Sequence, residues 1–283
     1  MMDAMDYQCR ACGNVLEPAV RLSVRQVPTD LYRCPRCGLY EFPAPDWLDA
    51  AYADPIAAID VGIAARCLYA ARVTEAVVRA EKLGHHRHLD YGGGYGLLTR
   101  QLRDRGIDMY HQDPLAENLF AQTFEGDAEG DYGAVTMIEV FEHLSDPLEL
   151  METLARRAQL IIISTVLVPD PIEDIADWWY LIPDLGQHIT FYTPAALTAM
   201  AEQLGMQVVT NGLNLHVFSH RPLGRTARRV VKDVRYARFV ARALRARDRA
   251  KPFTDVDAES ALAVLSRQMG RGGVESGSDD GQG

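Results

Sequence analysis

Short apolar runs alternate with longer amphipathic stretches over residues 85–220. Runs such as 107–112 and 160–163 have the length of buried strands, and the stretches between them have helical spacing. Strands that alternate with helices are typical of a parallel sheet with crossover helices. The pattern therefore predicts an α/β fold for this part of the chain.

The end of this region has a different pattern. Residues 206–210 and 213–218 are β-rich, and Asn211-Gly212 lies between them. Asn-Gly between two such runs is the strongest short signal for a β-hairpin. The sequence therefore predicts that the sheet ends in an antiparallel pair of strands.

The flanking regions have patterns of their own. Residues 46–84 read as helices, in which Asp54-Pro55 supplies an N-cap followed by proline at the first helical position. Apolar residues then recur at helical spacing until Gly84: Ile56, Ile59, Ile63, Val73 and Val77. At the other end, residues 270–283 contain six glycines, which predicts a disordered tail.

Composition fits one α/β domain of ordinary size with a small accessory module. The chain has 283 residues, of which 48% are hydrophobic and 24% charged. Its longest apolar runs are too short to span a bilayer, and residues 1–10 lack the basic and apolar regions of a signal peptide. We therefore expect a cytoplasmic protein.

Charge is distributed unevenly around a net charge of −10. Residues 221–251 hold 12 of the 29 Lys and Arg against two acids, Asp233 and Asp248, which gives +10 there and −20 elsewhere. Val230, Val231 and Ala241 recur at helical spacing within this segment. Three interpretations follow: an amphipathic helix packed on the body, a contact with an anionic membrane surface, or a contact with RNA.

Four of the five cysteines form two matched pairs, Cys9-x2-Cys12 and Cys34-x2-Cys37. Each pair is followed by a glycine, which permits the tight turn that brings backbone amides near thiolates. Four sulfurs at this spacing can close a tetrahedron around Zn²⁺ with no position left for water. The pairs therefore predict a structural zinc site in an N-terminal ribbon.

A glycine-rich turn follows the first predicted strand of the α/β region. Gly92, Gly94 and Gly96 allow a ligand to approach the backbone closely, whereas a dinucleotide fingerprint would need glycine where Leu97 stands. The next predicted strand ends at Asp113, 17 residues after the last of these glycines. A carboxylate there is well placed to accept hydrogen bonds from two ribose hydroxyls.

These motifs resemble those of the class I S-adenosylmethionine-dependent methyltransferases over about residues 50–220. The likeness lies in residues 89–96 (Leu-Asp-Tyr-Gly-Gly-Gly-Tyr-Gly), Asp113 and the segment 132–144. It implies a Rossmann-like, seven-stranded sheet whose last strand is antiparallel. The residues that it implies for binding S-adenosylmethionine are Asp90, Gly92, Gly93, Gly94, Tyr95, Gly96 and Asp113, with Arg66 as a partner for the cofactor's carboxylate.

Acids and histidines follow the fourth predicted strand of this region. Glu139, Glu142 and His143 would share one face if the chain became helical after Ile138, and His188 would close over the same edge. The group can hold a divalent ion such as Mg²⁺ or Mn²⁺, use His143 or His188 as a metal-free base, or serve a structural role. Similar E-x-x-E-H segments act with a metal in ubiquinone-biosynthesis and small-RNA 2′-O-methyltransferases.

The stretches 178–180 and 186–192 resemble bacterial methyltransferases often encoded beside polysaccharide-biosynthesis genes. This likeness implies O-methylation of a sugar, a glycan or another small polyhydroxyl acceptor. Two alternatives are an RNA methyltransferase that grips RNA with the ribbon and the basic helix, and a non-catalytic protein that binds S-adenosylmethionine. The predicted organisation is a zinc ribbon (1–45), a helical cap (46–84), a methyltransferase domain (85–220), a basic helical segment (221–269) and a disordered tail (270–283).

Overall fold

A computed structural model describes residues 7–52, 60–126 and 130–272. The strands are β1 (Glu17–Val24), β2 (Val27–Arg33), β3 (Tyr40–Glu41), β4 (Arg87–Tyr91), β5 (Asp108–Gln112), β6 (Tyr132–Ile138), β7 (Ala158–Ser164), β8 (Thr190–Phe191), β9 (Gln207–Thr210) and β10 (Leu215–Ser219). The α-helices are α1 (Leu48–Ala51), α2 (Ile63–Ala80), α3 (Leu97–Arg103), α4 (Pro147–Ala155), α5 (Pro194–Gln203), α6 (Arg225–Lys232), α7 (Ala237–Asp248) and α8 (Thr254–Gly272). The predicted helix start at Asp54-Pro55, with Ile56 and Ile59, and the tail beyond residue 272 lie outside the described residues.

The central sheet has the strand order β5-β4-β6-β7-β10-β9. Strands β5, β4, β6 and β7 are parallel, and β10 runs antiparallel to both of its neighbours. Helices cover both faces, as expected for a sheet built mainly of parallel strands. Thus Ile161 and Ile163 pack with α4 and α5, whereas Leu160 and Ile162 pack with α2, α6 and α7. The predicted α/β fold and its antiparallel last strand are confirmed.

The expectation of seven strands is wrong for the described part of the chain, where this sheet has six. Beyond β5, pairing is reduced to one isolated parallel bridge between His111 and Glu125. The segment that precedes Glu125 is folded by Asn118, whose side chain both accepts from the amide and donates to the carbonyl of Ala121. Such local side-chain bonds compete with a strand ladder.

The hairpin predicted at Asn211-Gly212 joins β9 to β10 and is confirmed. Its connection is longer than the two-residue turn that the dipeptide suggests. The Asn211 side chain accepts hydrogen bonds from the amides of Leu213, Asn214 and Leu215, and Gly212 has a φ of +78°. The asparagine therefore organises the whole turn by capping its amides.

Strands β1, β2 and β3 form a second, antiparallel sheet together with β8. The first three strands belong to the cysteine-rich N-terminal region, whereas β8 belongs to the α/β region, where it lies between β7 and α5 in sequence. Tyr40 pairs with Phe191 and Glu41 with Thr190. The N-terminal module is therefore joined to the rest of the chain by backbone pairing.

The basic segment folds as α6 and α7, and both helices pack on α2. Val230, Val231 and Ala241 are buried there, which confirms the amphipathic helix and its packing on the body. Arg245 forms an ion pair with buried Glu75 of α2, while most of the other basic side chains are exposed. Contact with a membrane surface or with RNA stays a prediction. No helix in the described ranges is long and apolar enough to cross a bilayer.

Candidate active site

The glycine turn lies between β4 and α3, at the carboxyl edge of the parallel strands, where α/β folds bind ligands. Gly92 and Gly94 have φ values of +67° and +55°, a region that favours glycine. A Cβ on Gly92 would also lie 2.5 Å from the Val140 side chain. The sequence forms this turn because glycine satisfies both constraints, and it leaves backbone atoms facing open space.

Asp113 follows β5 directly and contacts the glycine turn. One carboxylate oxygen accepts from the Gly94 amide at 2.8 Å, and the other accepts from the amides of Leu115 and Ala116 at 2.8 Å each. Each carboxylate oxygen can accept more than one hydrogen bond. The side chain therefore fixes two turns and retains acceptor capacity toward the space between them.

Asp90, at the end of β4, is only 1% exposed. Its carboxylate accepts hydrogen bonds from the hydroxyls of Thr136 and Thr99 at 2.7 and 3.1 Å. Burial raises the pKa of Asp90 to about 6, against the lowering effect of those hydroxyls. Asp90 thus links three elements beneath the glycine turn.

This burial predicts a pH dependence of stability. The folded pKa of about 6 lies above the ordinary value of 3.8, so the contribution of Asp90 is present below pH 4 and is lost as pH rises toward 6. In Asp90→Asn, the free energy of unfolding should fall less across this window, by up to about 3 kcal/mol. Urea titrations at several pH values measure the slope, with exposed Asp131→Asn as control. Equal slopes in wild type and Asp90→Asn would contradict the assignment.

Sequence reasoning missed a second support of the turn, the pair of His111 and Glu125. The buried His111 ring places Nε2 2.9 Å from the Gly94 carbonyl oxygen and Nδ1 3.3 Å from a Glu125 carboxylate oxygen. The His111 ring is therefore held at both of its nitrogens. The sequence signal is a histidine within a short strand that also contains Asp108 and Gln112, which is not specific.

The remaining predicted cofactor residues fall into two groups. Gly93 and Arg66 line the cavity, and Arg66 forms an ion pair with Asp60 at its wall. Tyr95 and Gly96 do not line it, since the chain turns into α3 at this point. A Cβ on Gly96 would clash with the Asn118 side chain, which explains the glycine by packing.

The segment after β6 differs from the predicted helix. Glu139 has a φ of +54°, and a single 3₁₀ turn covers Phe141–His143 before α4 begins at Pro147. The prediction that Glu139, Glu142 and His143 share a helical face is therefore wrong. The possible metal-ligand group in the structure consists of Glu142, His143 and His188, whose ligand atoms lie within 4.8 Å of one another, without Glu139.

Two buried carboxylates meet at the hydroxyl of Tyr180. Glu142 is fully buried and contacts this hydroxyl with one oxygen, while its other oxygen has no hydrogen-bond partner. Glu139 lies 3.2 Å from the same hydroxyl and also accepts from Ser164. Burial and the nearby Glu142 raise the pKa of Glu139. The second Glu142 oxygen is therefore a buried acceptor without a hydrogen-bond partner among the described residues.

Both histidines of the group are oriented by backbone carbonyls. His143 Nδ1 lies 3.0 Å from the Gln187 oxygen, and His188 Nδ1 lies 2.7 Å from the Tyr180 oxygen. Because a carbonyl only accepts, each Nδ1 is assigned the proton and each Nε2 keeps a free lone pair. Burial, followed by His188, lowers the pKa of His143 to about 3, so this ring is neutral at pH 7.

The predicted aromatic stretch lies in the loop that follows β7. Trp178 and Tyr180 are buried, whereas Trp179 is 69% exposed at the cavity wall. The loop is held by Trp47, the residue directly before α1, whose Nε1 donates to the Gly186 carbonyl at 2.8 Å. One part of the stretch therefore packs in the core, and Trp179 is available to a ligand.

A single cavity of about 1180 Å³ connects these features. The glycine turn and Asp113 form one part of its wall, and Glu139, His143 and His188 form another. Apolar side chains from α2 and the aromatic loop provide much of the rest. The cavity is therefore large enough for two small molecules side by side.

The four paired cysteines also meet, from the turns that precede β1 and follow β2. Cys9 and Cys37 sulfurs lie 3.6 Å apart and those of Cys12 and Cys34 3.5 Å apart, and all four lie within 4.8 Å of one another. Sulfurs that bind one Zn²⁺ at 2.3 Å in a tetrahedron are about 3.8 Å apart. The predicted clustering is confirmed, and its dimensions fit zinc.

Several known structures are similar to this chain at low sequence identity. CalO1, a methyltransferase in calicheamicin biosynthesis solved in its S-adenosylhomocysteine-bound form, is 11% identical over 54% of each chain, with a TM-score of 0.38. An O-methyltransferase family protein from Burkholderia thailandensis is 13% identical over 54% of this chain and 56% of its own, with a TM-score of 0.37. An O-methyltransferase family 2 protein from Planctomyces limnophilus, in complex with apigenin, is 13% identical over 60% and 64%, with a TM-score of 0.39. This chain thus spans about half to two thirds of the length of these proteins.

No curated protein matches the sequence significantly. A family model described as a methyltransferase domain matches residues 63–211, slightly more than half of the chain. The match begins with α2 and includes the glycine turn, Asp113 and the aromatic loop. It also includes Glu139, Glu142, His143 and His188. The chain therefore belongs to this methyltransferase-domain family.

Proposed function

We propose that the protein transfers a methyl group from S-adenosylmethionine to a hydroxyl of a sugar, a glycan or another small polyhydroxyl acceptor. In this reaction the carbon–sulfur bond of the sulfonium breaks, a carbon–oxygen bond forms, the hydroxyl proton passes to a base, and S-adenosylhomocysteine leaves. The observation that carries the proposal is the cavity in which the glycine turn and Asp113 face the same space as Glu139, His143 and His188. Binding both reactants there would supply the alignment that such a displacement needs.

The cofactor would lie over the glycine turn. Asp113 would accept hydrogen bonds from the ribose hydroxyls with its remaining lone pairs. Arg66 would pair with the amino-acid carboxylate, in exchange for part of its present contact with Asp60. Asp90 and His111 would act beneath the turn by holding its backbone, since both contact it from the protein side.

Glu142, His143 and His188 fit a divalent ion. They offer one carboxylate oxygen without a partner and two imidazole nitrogens whose opposite nitrogens are fixed by carbonyls. An ion held there would orient acceptor hydroxyls and lower the pKa of one of them. Glu139 lies outside this ligand group, and its raised pKa suits the base that takes the hydroxyl proton.

The acceptor class follows from the other walls of the cavity. Trp179 presents an exposed aromatic face, and apolar side chains surround it. Aromatic faces pack well against sugar rings, whose hydroxyl edges would meet the polar group. A small polyhydroxyl ring therefore matches both the apolar and the polar part of the site.

Labelled methyl transfer tests the activity. The purified protein is incubated with methyl-labelled S-adenosylmethionine and a panel of free sugars, nucleotide sugars and oligosaccharides, with Mg²⁺ or Mn²⁺ present. We expect transfer to at least one of them, and loss of transfer in Glu139→Gln. Transfer to RNA alone would support the RNA alternative, and cofactor binding without transfer to any offered acceptor would support the non-catalytic alternative.

Manganese binding tests the ion site without any acceptor. Because Glu142 supplies the only carboxylate of the ligand group, Glu142→Gln should weaken Mn²⁺ binding about 100-fold or more, as measured by calorimetry or electron paramagnetic resonance. The matched control is Glu149→Gln, an exposed glutamate outside the ligand group, which should bind Mn²⁺ as wild type does. Wild-type protein that binds no Mn²⁺ would instead favour His143 or His188 as a metal-free base.

We also infer that the four-cysteine group binds a structural Zn²⁺. Cys9, Cys12, Cys34 and Cys37 would complete its coordination, so no position remains for a substrate. The four cysteines lie in turns beside β1, β2 and β3, and none of them lines the cavity. The ion would therefore contribute to folding.

A further inference from the structure

We propose that the four-cysteine ribbon is a positioning element of the active site, and that Arg10 holds the segment that carries His188. Arg10 lies in the first cysteine pair and contacts the catalytic region through its side chain. The inference rests on the proposed function only in that it treats His188 as part of the reacting group. It assigns to the N-terminal module a role beyond its own folding.

The segment after His188 is bonded on both edges. On one edge, the amide of Phe42 donates to the Ile189 carbonyl at 2.9 Å, and β8 continues the pairing with β3. On the other edge, the Ile189 amide donates to the Glu142 carbonyl at 2.9 Å. The residue next to His188 therefore connects the ribbon directly to the backbone of Glu142.

Arg10 reinforces this junction with its guanidinium. Nη1 donates to the Thr190 hydroxyl at 3.1 Å and to the Ile189 carbonyl at 3.5 Å. Nη2 donates to the carbonyls of Phe42 and Pro43 at 3.1 and 3.3 Å. Only a guanidinium presents donors in a fork that reaches both strands at once, so lysine cannot reproduce the set.

The charge of Arg10 is balanced in place. Its guanidinium lies 3.4 Å from a carboxylate oxygen of Glu41, which is fully buried, and the Arg10 side chain itself is only 11% exposed. A buried pair of this kind is strongly destabilised when one partner is removed, because the other charge is left unpaired. The junction is therefore sensitive to the loss of this one side chain.

Both cysteine pairs also contact α5 and the residue that caps it, directly after β8. The Thr193 hydroxyl donates to the Cys37 carbonyl at 2.6 Å, and the Gln203 amide donates to the Ala11 carbonyl at 2.6 Å. Arg10 lies between Cys9 and Cys12, so an ion bound by the thiolates would fix the backbone from which its side chain extends. An ordered ribbon would therefore hold residues 187–193 in place and fix the distance between His188 and Glu142.

The chain supplies a matched control in the second cysteine pair. Arg36 lies between Cys34 and Cys37, as Arg10 lies between Cys9 and Cys12. It is exposed, and no hydrogen bond or ion pair of Arg36 is found among the described residues. Arg36→Ala therefore removes the same side chain from the same kind of turn without touching the junction.

Hydrogen exchange of the full chain with its zinc tests the proposal. In Arg10→Ala, peptides that contain the amides of Phe42 and Ile189 should exchange about tenfold faster or more, and guanidinium ion should partly restore their protection. Zinc content and affinity for S-adenosylhomocysteine should stay within about twofold of wild type. In ¹⁵N-histidine spectra, the His188 ring signals should shift while those of His216 do not, and Arg36→Ala should match wild type throughout.

Unchanged exchange and His188 signals in zinc-loaded Arg10→Ala would overturn the proposal, as would an equal change in Arg36→Ala. Should Arg10→Ala lose its zinc, Arg10→Lys decides, because it keeps the charge but lacks the fork. Faster exchange at Ile189 in zinc-loaded Arg10→Lys supports the proposal, and wild-type exchange there overturns it. None of these readouts needs an acceptor, so a failure here is distinguishable from a failure of the proposed methyl transfer.

Discussion

Asp113→Ala should abolish measurable binding of S-adenosylhomocysteine in isothermal titration calorimetry. The variant would lose the charge-assisted hydrogen bonds that the wild-type carboxylate accepts from two ribose hydroxyls. Each of these bonds contributes about 1.5–3 kcal/mol. The variant also loses the bond to the Gly94 amide at 2.8 Å, so the turn that faces the cofactor relaxes. Together these losses correspond to a decrease in affinity of about 100-fold or more.

The control for this variant is Glu117→Ala, which removes an exposed carboxylate four residues away. It should bind S-adenosylhomocysteine as wild type does, and both variants should retain their zinc. Wild-type affinity in Asp113→Ala, with the fold intact by circular dichroism, would remove the ribose-binding role and with it the placement of the cofactor over β4 and β5.

The second large effect concerns the ribbon. Cys34→Ser should reduce bound zinc from about one equivalent to below about 0.1, as measured by elemental analysis, because the site needs four thiolates at the spacing found here. Structural zinc contributes about 10–16 kcal/mol to the folding of isolated modules, so thermal unfolding should begin well below that of wild type. Protection of residues 187–193 from hydrogen exchange should fall together with the zinc.

The fifth cysteine provides the comparison. Cys67 lies in α2 at the cavity wall, far in sequence from the ribbon, and Cys67→Ser should keep a full equivalent of zinc and the wild-type unfolding temperature within a few degrees. Zinc retained at full stoichiometry in Cys34→Ser would show that the four sulfurs do not form the site.

Much of the fold could be predicted because its signals are local. The centre of β7 is an apolar run at 160–163, the Asn211-Gly212 dipeptide marks a hairpin, and two matched cysteine pairs indicate a zinc ligand set. The same holds for the glycine turn and for the acid after β5, which parallel strands bring to one edge. In each case the motif itself specifies the nearby geometry.

Other features depend on contacts between distant residues. The left-handed conformation of Glu139 and the hydroxyl of Tyr180 between two carboxylates have no signature in a single sequence. Among the described residues the sheet has six strands and no seventh, and Asn118 folds its own segment through local bonds that a strand pattern does not reveal. The pairing of β3 with β8 is the longest of these contacts and could not be read from either strand, each of which has only two residues.

That pairing has a consequence for synthesis on the ribosome. Tyr40 and Phe191 are about 150 residues apart in the chain. At a translation rate of roughly 5–20 residues per second, the nascent N-terminal strands would wait on the order of ten seconds or more for their last partner to leave the exit tunnel. During that interval the edge of β3 is unpaired, so arrested or truncated chains that stop before residue 190 are the species that chaperones would have to shield.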